Sequence, residues 1–331
     1  SIENYISSEW DGGNAEIELV AEVVEPRGSE EDLEQITDMM GSYTTNYKDS
    51  GQNRCDNISN ATSKINGTLL YPGEEFSVYE AIGPLDAANG YELAGAYENG
   101  QTVESYGGGV CQVSTTLYNA VILAELEITQ RSNHSMIVSY VKPSMDAAIA
   151  GDYKDLRFVN NQDIPIYIEG YTEGKNVTFK IYGHDTRPSN RVVTYESEVV
   201  SEQDPGTQYV ATGDPAGYMK TAQGKHIGYV ARLWKVVTVD GVEESREIFN
   251  KSTYKASPKI VNVGTASADP NVSAVIGAAL ATGDEATINA AVAPYAASAA
   301  AILNPAPVEQ PSQEEQAITG TVDESQITGG E

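Results

Sequence analysis

Cysteine is nearly absent from this 331-residue chain, which has only Cys55 and Cys111. Two thiols allow one disulfide at most and are too few for a cysteine-built zinc framework. Histidine is almost as scarce, and no HExxH or HxH spacing joins His134, His184 and His226. Neither a catalytic metal nor a cofactor is expected. Positive charge is the third shortage: 20 Lys and Arg stand against 48 Asp and Glu, a formal net charge of −28. A polyanion needs a basic footprint that releases counterions, so a nucleic-acid partner is excluded, and the same field repels anionic lipid. No uninterrupted apolar run approaches the roughly 18 residues that read as a bilayer crossing, and no basic-then-apolar signal peptide is present. Phe and Trp are few, 4 and 2, but there are 20 Tyr, and the length accommodates roughly two domains.

Residues 15 to 24 alternate apolar and polar ahead of Pro26, as a half-buried strand does before a turn. Ser29 to Asp32, ahead of Leu33 and Ile36, predicts a short capped helix with acids in its first turn. A helix is predicted at 56 to 67 and a stronger one at 112 to 126, with turns at Pro72-Gly73 and Gly83-Pro84. Met136 to Val141, Ile164 to Glu169 and Asn176 to Tyr182 alternate as strands, so the class of 41 to 188 is α+β. From 189 to 264 the pattern is all-β, with arms at Arg191 to Val200, Tyr229 to Val239 and Val242 to Lys251; Asp240-Gly241 marks a hairpin. Residues 265 to 331 hold nine acids and no Lys or Arg, are rich in Ala, Pro and Gln, and are expected to be a disordered acidic tail.

The chemistry concentrates in Tyr106-Gly107-Gly108-Gly109-Val110-Cys111-Gln112-Val113-Ser114. Three glycines permit a positive-φ path, and the apolar period that follows (Val113, Leu117, Val121) makes a helix. Cys111 at that helix's N-terminus would have its thiolate stabilised by free N–H groups and the macrodipole, and the same N–H groups can hold an oxyanion. His134, in Arg131-Ser132-Asn133-His134-Ser135, stands where a strand from 136 can return it beside Cys111 as general base. Blander readings stay open here. A phosphate cradle lacks its Lys and Ser/Thr; Cys111 serves equally as a core thiol or as half of a Cys55–Cys111 disulfide, and His134 as a structural histidine.

Residues 41 to 188 resemble a VanW domain, through Ser42 to Tyr47, Asn57-Ile58, Ile65-Asn66-Gly67, Pro72 to Ser77, Gly90-Tyr91, Gly107 to Asn119, Arg131 with His134-Ser135, Asp146-Ala147 and Asp155 to Phe158. The chain departs from the family's pattern at Pro143-Ser144-Met145, where a glycine is expected before Asp146. Residues 189 to 264 resemble the G-five domain through Asp240-Gly241-Val242, Glu244 to Glu247 and Ile260 to Thr265. Residues 1 to 40 look like the end of the peptidoglycan-binding domain that commonly precedes VanW. The resemblance implies an extracellular protein of the Gram-positive cell envelope, attached to the membrane only through an anchor upstream of this sequence.

The VanW resemblance further implies the activity of an L,D-transpeptidase, with Cys111 as nucleophile and His134 as acid and base. Asp146, Asp152 and Asp155 are the candidates to orient the imidazole, Asp146 foremost, and Gly108, Gly109 and the Cys111 N–H are the oxyanion candidates. Gly107, Gly108, Gly109, Gln112, Ser114, Arg131 and Ser135 are the candidate binding residues. The partners that the resemblance implies are peptidoglycan stem peptides and glycan strands. The rival reading is a non-catalytic protein that grips a stem peptide or glycopeptide.

Overall fold

The computed structural model describes residues 10, 12–13, 29–98, 101–151 and 153–303. The strand expected at 15 to 24 and Asp152 lie outside them. The chain divides into two compact units, one formed by residues up to 201 together with Tyr229–Tyr254, the other by Glu202–Gly228 and the residues from Lys255 on.

Among the described residues the first element of the first unit is helix α1 (Glu30–Glu34), whose N-cap Ser29 accepts from the Asp32 N–H. Strands β1 (Asp38–Asn46), β2 (Thr68–Leu70), β8 (Ile166–Glu173) and β9 (Asn176–Gly183) form an antiparallel sheet in the order β1-β9-β8-β2. Helices α2 (Gln52–Ile65) and α4 (Val110–Leu123) pack on this sheet and on each other. Both start earlier than the apolar period alone predicts: α2 because its first turn, Gln52-Asn53-Arg54, is polar and uncounted by the period, and α4 because Gly109 already serves as its N-cap. Ile58, Ile65, Val113, Leu117, Ile168, Phe179 and Ile181 are fully buried between them. Helix α3 (Val78–Ile82) is capped by Ser77. A second small sheet, β3 (Glu75–Ser77), β7 (Arg157–Val159) and β6 (Glu127–Gln130), and a hairpin of β4 (Leu93–Glu98) with β5 (Gln101–Tyr106) complete this part.

The strand expected at 136 to 141 does not form: residues 131 to 151 and 153 to 156 run without regular structure. Their backbone groups are taken by side chains and by one another instead of by a sheet edge, as in Ala148 N–H to Ser132 O (2.8 Å) and His134 N–H to Asp146 Oδ2 (2.7 Å).

The all-β stretch does not gather into one body. Strands β10 (Arg191–Gln203), β13 (Gly228–Val239) and β14 (Val242–Tyr254) make a three-stranded sheet that clusters almost entirely with the first unit. Asp240 and Gly241 turn the β13–β14 hairpin with φ of 51° and 78°. Leu233 is fully buried in the first unit's core, with Tyr195 and Phe249 packed against it. Glu125, just past α4, is gripped by Arg187, Arg191 and Lys235. Burial alone would raise its carboxyl, but these cations hold it down at about 2.

In the second unit, β15 (Lys259–Ala266) runs between parallel β11 (Thr207–Pro215) and antiparallel β12 (Met219–Gln223). The expectation of disorder from residue 265 on is corrected as far as residue 303. Helices α5 (Pro270–Thr282), α6 (Glu285–Val292) and α7 (Ala296–Leu303) follow β15, capped by Asp269 and Asp284. Gly283 ends α5 in the left-handed conformation (φ 66°), a stop signal between two helices. Alanine needs little else to be helical, and the few large side chains fall where they bury: Ile276, Ile288 and Val292 close a core over Val261 and Val263. The stretch Glu285–Leu303 is long and apolar enough to cross a membrane by length and composition alone. Much of that apolarity is alanine, while Ile288, Val292 and Ala299 are buried. Ile288→Ala is expected to destabilise this unit by about 2 to 4 kcal/mol, as loss of a fully buried isoleucine does. A urea melt followed by amide exchange at β15 would measure it, and an unchanged midpoint would mean that the helices do not close this core.

Candidate active site

The loop before α4 is shaped for glycine. Gly109, the N-cap, has φ of 119°, and a Cβ on Gly108 would stand 2.6 Å from the Ala94 carbonyl oxygen. Asn57 Nδ2 donates to Gly108 O (3.1 Å) and Glu92 O (2.9 Å), fixing the loop to α2 and the chain before β4. Cys111 is the second residue of α4 and is part-exposed, so its sulfur meets the helix's free N–H end. The Gly108 N–H is spent on Ser105 O (3.3 Å), and Val110 and Gln112 donate to Gly107 O and Gly109 O. That removes Gly108 as an oxyanion donor and leaves the N–H groups of Gly109 and Cys111.

A register between helix and extended chain builds the rest of the site. Cys111, Thr115 and Asn119 lie four apart on one face of α4 and engage Ile149, Ala147 and Met145, two apart in the irregular segment. Ile149 N–H reaches Cys111 Sγ (3.4 Å), Thr115 Oγ1 donates to Ala147 O (3.2 Å) and accepts its N–H (3.0 Å), and Asn119 Nδ2 donates to Met145 O (2.7 Å). Four helical residues rise about 6 Å and two extended ones about 6.6 Å, so the two repeats match. Ser144, in the stretch where the family's pattern has a glycine, has a positive φ (67°).

The register delivers Asp146, fully buried, to His134. Asp146 Oδ2 accepts from both the backbone N–H and Nδ1 of His134, each at 2.7 Å. Its Oδ1 accepts from Arg131 Nη2 (3.1 Å) and from the Tyr254 hydroxyl, and Arg131 Nε also holds the Asp146 carbonyl (2.7 Å). Burial would protonate this carboxyl, yet the bonds and charges of His134 and Arg131 hold it below the usual range. His134 is itself buried, which opposes its charge, but hydrogen bonds with Asp146 and with Cys111 push it up to about 9. Dense surroundings would raise the Cys111 thiol; the hydrogen bond and charge of His134 outweigh them and lower it. The pair favoured between these limits is thiolate and imidazolium.

The sign of the pH dependence follows. Alkylation of Cys111 by iodoacetamide is expected to continue below the pH at which an ordinary thiol, near 8.5, is protonated. Chemistry that needs imidazolium as acid is expected to fall as pH rises through about 9, while alkylation does not. A Cys111 alkylation profile with its midpoint at the ordinary thiol value would remove the ion pair.

Among the other sequence-derived candidates, Gln112 is buried, donating to Thr45 Oγ1 and Asn46 O (both 3.0 Å) and accepting from Arg54 Nη2 (2.8 Å). Arg131 grips Asp146 and, through Nη1, Ser252 (2.9 Å), so it positions instead of binding. Ser114 is fully buried, its hydroxyl without a partner among the described residues, and Ser135 is half-buried. Asp155 is drawn elsewhere, accepting from Ser77 Oγ (2.5 Å) and the Tyr79 N–H (2.9 Å) at the start of α3. His184 pairs with Asp38 (3.4 Å), and Cys55 is a free thiol donating to Ser50 O (3.6 Å). Sequence reasoning missed Tyr254, Tyr140 and Arg54. Tyr140, whose hydroxyl lies 3.5 Å from His134 Nε2, offered one weak signal, its nearness to His134 in the chain. A cavity of about 1030 Å³ adjoins the site, lined among others by Gln112, Tyr140, Arg54, Lys48, Asn53 and Gly95.

The description "VanW like protein" fits residues 53–182 and "G5 domain" fits residues 194–266. The chain is 34% identical over 185 residues to the Uncharacterized protein YoaR of Bacillus subtilis (strain 168), covering 56% of this chain and 61% of that protein. It is 30% identical over 118 residues to the Vancomycin B-type resistance protein VanW of Enterococcus faecalis (strain ATCC 700802 / V583), covering 34% of this chain and 42% of that one. The chain thus spans less than two thirds of either relative. A solved IgA1 protease G5 domain aligns with 23% of this chain and 94% of its own, at 24% identity and a TM-score of 0.16. The chain carries a VanW-like domain followed by a G5 domain.

Proposed function

We propose that the protein is a cysteine-dependent L,D-transpeptidase that forms 3→3 cross-links between peptidoglycan stem peptides. A cell-wall role is supported by the VanW-like domain and by the relative named for vancomycin resistance. The observation that carries the enzymatic reading is Cys111 at the N-terminus of α4 beside His134, whose Nδ1 donates to the buried Asp146 Oδ2 (2.7 Å). In the first half-reaction the Cys111 thiolate attacks the carbonyl carbon joining stem residue three to the terminal residue. The C–N bond breaks, His134 Nε2–H protonates the departing amine, and a thioester remains. The N–H groups of Gly109 and Cys111 face the transient oxyanion. In the second half-reaction an acceptor side-chain amine attacks the thioester, gives its proton to His134 and expels the thiolate. Water in place of the amine makes the tripeptide, a carboxypeptidase outcome. The protein works outside a Gram-positive cell, where the G5 part holds it to glycan strands.

The test incubates the full chain with disaccharide-tetrapeptide and follows products by mass spectrometry. A 3→3 dimer with release of the terminal residue is expected. Retained peptide binding with neither dimer nor tripeptide would overturn the enzymatic reading in favour of a binding protein.

A further inference from the structure

Arginine in this chain is almost always spoken for. Among the described residues Arg131, Arg157, Arg187, Arg191, Arg232 and Arg246 each pair with a carboxylate. Arg54 pairs with no carboxylate among the described residues, although acids outnumber bases more than twofold in the chain. Its two hydrogen bonds go to neutral oxygens, Nη1 to Ser50 Oγ (2.7 Å) and Nη2 to Gln112 Oε1 (2.8 Å). A guanidinium has five N–H donors, so three remain. Leaving such a cation half-buried without a counter-charge costs stability unless something else supplies the charge.

Its position says where that charge would come from. Arg54 lines the cavity that Gln112 and Tyr140 share, and Gln112 follows the nucleophile directly in the chain. The stem of Arg54 packs under the oxyanion loop, since a Cβ on Gly109 would lie 3.2 Å from Arg54 Cγ. Gln112, locked by Thr45 and Asn46, holds the guanidinium in a fixed orientation. Asp49 is the one acid among the residues lining the cavity, and it makes no ion pair with Arg54. We propose that Arg54, oriented by Gln112, binds a carboxylate of the substrate beside Cys111, so that the preferred donor is a peptide with a free carboxylate at its end. This inference rests on the reading of Cys111 as a nucleophile toward peptides. It adds that a donor whose end is blocked, or extended so that the carboxylate overshoots, is disfavoured. A planar fork of N–H donors suits a carboxylate, and lysine would supply charge without the fork.

The experiment compares a tetrapeptide donor with its C-terminal carboxamide, using protection of Cys111 from iodoacetamide as the readout beside cross-linking. In the wild-type protein the free acid is expected to protect at about 10- to 100-fold lower concentration than the amide, the range of a charge-assisted hydrogen bond. Arg54→Gln, checked for an unchanged melting temperature, is expected to bring the acid to the level of the amide and leave the amide unaltered. Arg54→Lys should restore part of the difference. Equal protection by acid and amide in the wild type, or equal weakening of both in Arg54→Gln, overturns the proposal. If the acid preference depends on Arg54 but no cross-link or hydrolysis occurs, the carboxylate site stands and the transpeptidase reading fails. If cross-linking proceeds without acid preference, the reverse holds.

Discussion

Cys111→Ala is expected to abolish cross-linking, a loss of roughly a thousandfold or more, because no other group supplies the covalent intermediate. The fold should persist. The sulfur's hydrogen bonds are to the Ile149 backbone, and it sits at the part-exposed edge of the core, so its removal leaves only a small space. Cys111→Ser should be nearly as inactive, since a hydroxyl is too weakly acidic for a helix terminus and one imidazole to ionise. His134 in Cys111→Ala should lose the partner that helps to keep it charged, and its titration should move down from about 9. Mass spectrometry of muropeptides and the histidine ring signals by NMR would follow the two effects. Undiminished 3→3 product from the alanine variant would take Cys111 out of the mechanism.

Tyr254→Phe is expected to lower kcat by about 10-fold or more with little change in KM. Tyr254 stands behind Asp146 and is not among the residues lining the cavity, so it acts as a positioning residue. Burial and the neighbouring Asp146 charge raise its hydroxyl, which keeps it a neutral donor. It also accepts the Ser144 N–H (2.7 Å), so the phenylalanine variant leaves one buried donor and one carboxylate oxygen without their bond. A hydrogen bond to a charged group is worth about 1.5 to 3 kcal/mol. Other residues of β14 support the same region: Ser252 holds Arg131, Asn250 Nδ2 donates to the Tyr118 hydroxyl (2.7 Å), and Asn133 Nδ2 donates to Thr253 O (2.9 Å). A fragment ending at residue 188 should therefore be inactive even though it contains Cys111, His134 and Asp146. Full activity from that fragment, or a Tyr254→Phe enzyme with unaltered kcat, would show that the hairpin is only attached to the site.

Local rules read several elements correctly because their causes lie within a few residues. Ser29 caps α1, the period of Val113, Leu117 and Val121 makes α4, and Asp240-Gly241 turns a hairpin. The same rules misread two segments. Met136 to Val141 alternates like a strand, but the His134 and Ser144 N–H groups that flank it donate to the side chains of Asp146 and Tyr254. The composition of residues 265 to 331 predicts a disordered tail, whereas Gly283 ends a helix and Pro294 sits in the first turn of a short 3₁₀ segment.

By itself the sequence determined that Cys111 begins a helix behind a glycine loop, since glycine's freedom and the apolar period are properties of adjacent residues. It also determined the net charge of −28, since charge is counted without coordinates. Which acid orients His134 was open among three, and it was decided by the match between every fourth residue of α4 and every second residue of 145 to 149. The tyrosine behind Asp146 lies 108 residues away in the chain. Its arrival depends on burying Leu233 and Phe249 in the first unit's core, and on Glu125 drawing in Arg191 and Lys235. Burial and ion pairing over such separations act between surfaces that exist only once the chain has folded, so no spacing along the sequence carries them.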